Sequence, residues 1–251
     1  MEENVRVAER IFDILEALSA SRAPMSLAEI VNATGISKTT VYRLLSTMCA
    51  RQYVEKNADN AYSIGYKLIE TVSLHINNLE LLTEAKPFLS DISRNLDLTA
   101  HLGILDGCNV IYLEKMDVHP NTRLYTQVGY RSPAYCSSMG KCLLACLSGE
   151  ELANALYQCD FKKYTQNTIT DLNEFKKYLK KVRRQGWAMD DEEYQSGHRC
   201  VGAPVFDYRG SPVAAISASG SCVQLSDARL ETVIREVKQA AASLSRRMGY
   251  T

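Results

Sequence analysis

Residues 26–51 read SLAEIVNATGISKTTVYRLLSTMCAR, and their spacing describes two short helices joined by a tight turn. Ser26 can cap the first helix, and Glu29 three positions on completes a capping box. Leu27, Ile30 and Val31 give that helix an apolar side, and Gly35 suits the left-handed residue that ends it. Ser37 is placed to cap the second helix, in which Val41, Leu44, Leu45 and Met48 fall on one side. Its other side carries Lys38, Thr39, Tyr42, Arg43 and Ser46. No acidic residue lies between Glu29 and Glu55. An acid-free helix presented by a second helix across a turn is the pattern of a helix-turn-helix, whose second helix enters the major groove.

The surroundings extend this unit. Val7, Ile11, Ile14, Leu15 and Leu18 recur at helical spacing and predict a third helix over Val5 to Ser19, packed across the other two. After Arg51, QYVEKNADNAYSIG alternates polar and apolar residues around Asp59-Asn60, which predicts a two-stranded wing. Tyr66 to Asn78 again reads as a helix, with Leu68, Ile69, Val72 and Ile76 on one side. That apolar side serves either a dimer contact or packing on its own domain. A further helix, from Leu81 to Leu96, contains Pro87.

From Thr99 the period changes to two. Thr99–Leu105 and Asn109–Met116 flank Asp106-Gly107, a hairpin signal. A strand is expected at Thr122 to Gly129, helices at Ser137 to Leu147 and from the Ser148/Glu151 capping box to Tyr157, and a helix capped by Thr170 and ended by Gly186. Strands follow at Cys200 to Phe206 and Val213 to Ser219, then an amphipathic helix capped by Ser226. Strands and helices alternate too irregularly for a doubly wound sheet, so the expected class is α+β, with an antiparallel sheet and helices on its faces.

Composition narrows the function. The 251 residues carry 29 basic and 29 acidic side chains, so any nucleic-acid contact must come from a local patch. No apolar run has the length of a membrane span, and MEENVRVAER is wrong for a signal peptide; a cytoplasmic protein is expected. The eight cysteines show neither CxxC pairs nor zinc-finger spacing with histidine, so no metal or cofactor is expected, and they read as reduced, buried small hydrophobes rather than a disulfide framework.

Three further blocks complete a resemblance. GISKTTVYRLLSTM and YSIGYKLIE are followed by Pro133-Ala134-Tyr135-Cys136-Ser137-Ser138-Met139-Gly140-Lys141, by Asp190-Asp191-Glu192-Glu193 with Gly197 and Cys200, and by Ala215-Ile216-Ser217-Ala218-Ser219. In this order the chain resembles the IclR-type bacterial transcriptional regulators over almost its whole length. The resemblance implies a winged helix-turn-helix DNA-binding domain (residues 1–65), a linker helix (66–79) and a GAF-like effector-binding and oligomerisation domain (80–251). It also implies homodimers or homotetramers on palindromic operators, and small organic acids as effectors. A repressor is expected, although the residues themselves carry no sign of regulation.

Candidate site residues follow. For double-stranded DNA they are Ser26, Ser37, Lys38, Thr39, Thr40, Tyr42 and Arg43. Lysine and arginine suit phosphates or guanine edges, and the hydroxyl-bearing residues suit phosphates or thymine methyls. For the effector, Ser138 and Met139 open a helix whose first amides and dipole favour an anion; the bland alternative is that Ser137 merely caps it. By resemblance Asp190 and Cys200 face the same pocket as Ser217 and Ser219, which alternation puts on one face of their strand. His101 is either a pocket residue or a satisfied core histidine, and Leu124, Tyr125 and Tyr135 are candidates for an apolar wall. Lys141 reads as a structural ion pair or an interface group, and Glu192 and Glu193 as solvated or structural. Met139 stands where the family often has a small residue, and with RLYTQVGYRSP (residues 123–133) it looks more like the family's sugar-acid sensors than its glyoxylate sensor.

Two alternatives remain. A thiol-based redox sensor would use Cys136, Cys142, Cys146 or Cys200. A remote alternative is an enzyme acting on a small acid through Cys200 and His198, but the chain lacks a G-x-S-x-G elbow and has few histidines.

Overall fold

In a computed structural model the described residues are 5–77, 80–118 and 126–251. They form two compact units, divided after residue 79.

The first unit holds α1 (Arg6–Ala20), α2 (Leu27–Thr34), α3 (Lys38–Ala50), β1 (Val54–Lys56), β2 (Tyr62–Ile64) and α4 (Tyr66–Asn77). The Ser26 capping box forms as expected, with the Glu29 amide donating to Ser26 Oγ and the Ser26 amide donating to Glu29 Oε2 at 2.7 Å. Gly35 ends α2 at φ 67°, a left-handed conformation that costs glycine nothing. Ser37 occupies the cap position of α3, yet its hydroxyl bonds Thr40 Oγ1 at 2.9 Å rather than a helix amide, which corrects the cap expected there. Ile14, Leu18, Ile30, Val41, Leu45, Met48 and Tyr62 share one core. Val7, expected on the inner side of α1, is exposed. The strands of the wing pair antiparallel around Asn57, whose Oδ1 accepts the amides of Asp59 and Ala61. On α4, Ile69 points outward, while Val72 and Ile76 lie outside the residues whose side chains are described.

The second unit is an antiparallel sheet between two layers of helices. Its strands are β3 (Thr99–Asp106), β4 (Asn109–Met116), β5 (Arg131–Pro133), β6 (Ala188–Asp191), β7 (His198–Phe206) and β8 (Pro212–Ser221), in the order β5-β4-β3-β8-β7-β6. One face packs on α5 (Glu80–Leu96) and α9 (Asp227–Arg247). The other packs on α6 (Ser138–Cys146), which leans on α8 (Leu172–Gln185); α7 (Gly149–Tyr157) joins α6 to α8. The expected strand at Thr122–Gly129 is not borne out where it is described, since 126–130 form a turn and the strand is β5; Leu124 and Tyr125 fall outside the described residues. Asp171, not Thr170, caps α8, accepting the Glu174 amide at 2.7 Å. Ser226 sits at the cap of α9 without a side-chain cap bond.

Two cysteines also depart from expectation. Cys108, in the β3–β4 turn, is disulfide-bonded to Cys159 just beyond α7, with Cα atoms 5.3 Å apart and a sequence separation of 51. Spacing alone could not show this, because the fold brings the turn and the helix end together. The other six cysteines are free.

A thiol titration of denatured, unreduced protein is expected to count six groups, rising to eight after reduction. Reduction is expected to lower stability by about 4 kcal/mol, the loop-closure value for a cross-link of this span. Eight groups before reduction would contradict the pairing.

Candidate functional site: an acid-free helix face and a closed polar cavity

The first unit presents α3 to solvent. Val41, Leu45 and Met48 anchor it to the core, which turns Ser37, Lys38, Thr39, Tyr42, Arg43, Ser46 and Thr47 outward. Tyr42 is 57 % exposed, a large aromatic turned to solvent. Thr40 is half-buried and bonded to Ser37. Ser26 is not free in the sense expected of it: its hydroxyl donates to Glu29 Oε2 at 2.7 Å and is used by the α2 cap. The face therefore consists of Lys38, Thr39, Tyr42 and Arg43, with Ser37 at its edge.

In the second unit the strand register brings the other residues together. Asp190 pairs with Cys200, and Cys200 with Ser219, across β6, β7 and β8. In the next row on the same face, Gly202 pairs with Ser217 and Ser217 with His101. A Cβ on Gly202 would meet the backbone of Ser138 and Met139 at 3.0 Å, so only glycine lets the N-terminus of α6 rest directly on the sheet. Gly140 does the same against Ala134, where a Cβ would come within 2.3 Å of backbone. Ser137 caps α6, its hydroxyl accepting the Gly140 amide.

Ser137, Ser138, Asp190, Cys200, Ser217 and Ser219 line one cavity, together with Tyr112, Ser132, Cys136 and Tyr194. Its volume is about 10 Å³, room for a water molecule. Tyr130 and Tyr194 touch through their hydroxyls at 2.6 Å nearby. Among the described residues no lysine or arginine lines it. Asp190 Oδ1 accepts the amides of Glu193 at 2.8 Å and Tyr194 at 3.4 Å. Burial nevertheless raises its pKa to about 7, against the opposing pull of Lys141. Ser132 Oγ is buried without a hydrogen-bond partner among the described residues.

Two expected residues lie elsewhere. The Met139 side chain runs into the apolar core, its Cε near Gly103, so it does not line the cavity. His101 stands behind the wall, bonded to Thr126 Oγ1 at 2.9 Å and to Ser219 Oγ at 3.4 Å and edge-on to Tyr112. Burial lowers its pKa to about 3, so it is a neutral, satisfied core histidine. Tyr135, also buried, donates its hydroxyl to Lys162 O at 2.8 Å. Tyr112, Ser132 and Tyr194 were missed by sequence reasoning. Ser132 sits inside the quoted RLYTQVGYRSP and Tyr194 directly follows Asp190-Asp191-Glu192-Glu193, where both could have been found; nothing local marks Tyr112.

Lys141 and Glu193 are structural, as expected. Fully buried, Lys141 donates to Met189 O at 2.9 Å and to Glu193 Oε1, and lies over the Tyr178 ring. Glu192 accepts the Gly197 amide at 2.7 Å. Burial pushes the thiols of Cys136, Cys142, Cys146 and Cys200 up, which disfavours the thiolate that peroxide sensing or covalent catalysis would use.

With this geometry in place, the comparisons with known proteins fall into line. Residues 7–58 match the IclR helix-turn-helix domain, and residues 73–246 match the bacterial transcriptional regulator IclR C-terminal family. The chain is 34 % identical over 249 residues to the transcriptional regulator KdgR of Escherichia coli, covering 99 % of this chain and 94 % of that one. Among solved structures, the IclR of Thermotoga maritima matches with a TM-score of 0.85 at 30 % identity, over 98 % of this chain and all of that one. An IclR homologue from Microbacterium hydrocarbonoxydans, solved with 4-hydroxybenzoate, shares the fold at 21 % identity and a TM-score of 0.84, covering 96 % of this chain and 98 % of its own.

Asp190 supplies a pH test. Its folded-state pKa lies above the unfolded value, so the folded chain holds the extra proton between about pH 4 and 7 and is destabilised above that window. Lowering the pH from 8 to 5 is expected to stabilise the wild type over Asp190→Asn by about 2–3 kcal/mol in denaturant titrations. A gap that stays constant with pH would contradict the assignment.

Proposed function

The chain belongs to the IclR family of bacterial transcriptional regulators, and from that premise we propose that it is a repressor whose operator binding through α3 is controlled by a small sugar acid held at the N-terminus of α6. It is a DNA-binding regulator and not an enzyme, as its named relatives are regulators. The finer assignments are residues 1–65 as the DNA-binding domain, 66–79 as the linker and 80–251 as the effector and oligomerisation domain. A cytoplasmic location is part of this reading; among the described residues no helix is long and apolar enough to cross a membrane.

The observation that carries the effector reading is a cavity lined by hydroxyls and one buried carboxyl, with no cationic side chain among the described residues. A carboxylate there would rest on the first amides of α6, at Ser138 and Met139, and on the hydroxyls of Ser217 and Ser219. Protonated Asp190, Ser132 and Cys200 would meet the hydroxyls of a polyhydroxy acid. The Microbacterium relative holds an acid, 4-hydroxybenzoate, which supports the carboxylate and leaves the sugar part to the chemistry of this cavity. A cavity of about 10 Å³ must widen to admit any such molecule, and parting the Tyr130–Tyr194 contact is the route it offers. Open and closed states then differ in effector affinity, the condition for the effector to bias DNA binding.

For DNA, Lys38 and Arg43 contact phosphates or guanine edges, and Thr39 and Tyr42 contact phosphates or thymine methyls; Ser37, Thr40 and Ser26 support the helix ends that present them. Dimers or tetramers would bind a palindromic operator. Val7 and Phe12 on α1, with Tyr66 and Ile69 on α4, are exposed apolar residues suited to the contact between copies in the DNA-binding unit.

Fluorescence anisotropy with labelled DNA from upstream of the gene is expected to show sequence-preferring binding that weakens steeply with salt. Arg43→Ala and Lys38→Ala each reduce the salt slope by about one per protomer if they hold phosphates, and relax sequence preference if they read bases. No salt-sensitive, sequence-preferring binding at protein concentrations of about 1 μM would overturn the reading.

A further inference from the structure

We propose a second ligand site, for a carboxylic acid with an apolar body, in the cleft between α8 and α9 at the open edge of β7. The cleft arises from the sheet itself. β6 covers β7 only from Arg199 to Gly202, whereas β7 continues to Phe206. Beyond Gly202 the edge is bare, and the helix layers above and below it leave a cleft of about 670 Å³. That volume lies within the usual range of small-molecule sites and far exceeds the closed cavity at the head of α6.

The lining has two parts. The floor is apolar and includes Ala145, Val182, Ala203, Phe206, Ala241 and Ala242. Around it stand Arg183, Lys238 and Arg246, and among the described residues no Asp or Glu side chain lines the cleft. The three cations are held by neutral acceptors. Arg183 donates to the carbonyls of Ala145 and Leu147, Lys238 to Gln185 O at 2.9 Å, and Arg246 to Ser243 Oγ at 2.8 Å. None of these acceptors carries a charge, so the rim they hold in place complements an anion.

Pro204 decides between an added strand and a small molecule. It lies in the bare stretch of edge and has no amide to offer an incoming strand, a device that blocks edge pairing. An apolar floor beneath a positive rim fits an aromatic or aliphatic acid instead, its carboxylate toward Lys238 and Arg246 and its body on Phe206 and the alanines. The cleft meets the C-terminal half of α6 at Cys142, Ala145 and Cys146, so its occupant would touch the same helix whose other end faces the polar cavity.

Trp187, the sole tryptophan, directly follows the lining residue Gly186 and serves as the fluorescence probe. Full-length protein is titrated with sodium octanoate and, in parallel, with octan-1-ol. Octanoate is expected to change Trp187 emission with a Kd of about 1 mM or tighter, and octanol to bind at least about tenfold more weakly. The double variant Lys238→Gln/Arg246→Gln should bring the two probes level. Ala242→Phe, at an exposed position and so tolerated by the fold, should abolish both responses, while Asp190→Asn should leave them unchanged. The proposal is overturned by no response up to about 5 mM, by an octanoate response that survives Ala242→Phe, or by one lost in Asp190→Asn. It is equally overturned if Ala242→Phe shrinks the oligomer in sedimentation, because a second copy of the chain would then occupy the cleft.

Discussion

The C-terminal unit depends on one close approach, the N-terminus of α6 laid directly against β7. Gly202 and Gly140 remove the Cβ atoms that would hold the two backbones apart. Lys141 then fastens the helix from within, reaching β6 at Met189 O and the loop beyond it at Glu193. Removing one partner of such a buried pair costs about 3–5 kcal/mol, because a charge is left without compensation. The pair is placed where the loop from Asp190 to Tyr194 must turn back, and the amides of that loop hold the Asp190 carboxyl at the cavity. Helix end, ion pair and carboxyl are therefore one assembly, and the cavity exists because α6 is pinned there.

Much of this was legible in the residues. The capping boxes at Ser26/Glu29 and Ser148/Glu151 form as written, since a cap is a local interaction between residues three apart. Alternation placed Ser217 and Ser219 together, and the register confirms that they share a face with Cys200. What escaped the sequence is what depends on distance through the fold. The role of Gly202 is set by a helix some sixty positions earlier in the chain, the partner of Cys108 lies beyond α7, and the side chain of Met139 follows the core rather than the motif it belongs to. His101 was open between two readings, and its bonds to Thr126 and Ser219 settle it as a core residue whose hydrogen bond steadies the cavity wall.

The two units use the same physics with opposite sign of display. In the first, α3 turns an acid-free face outward, where a polyanion can reach it. In the second, α6 turns its amide-bearing end inward, where a small anion can be held away from water. Electrostatic attraction is salt-screened at the exposed face and persists in the buried one, so DNA affinity should follow ionic strength far more steeply than effector affinity does.

The central claim is that a carboxylate is held by the first amides of α6. It is tested most directly by following the backbone amide proton resonances of Ser138 and Met139 while a sugar acid that raises the melting temperature is added. The account predicts that these two signals move downfield on binding, and that the corresponding neutral sugar neither binds comparably nor moves them. Saturable binding of the acid that leaves both amides unmoved would contradict it.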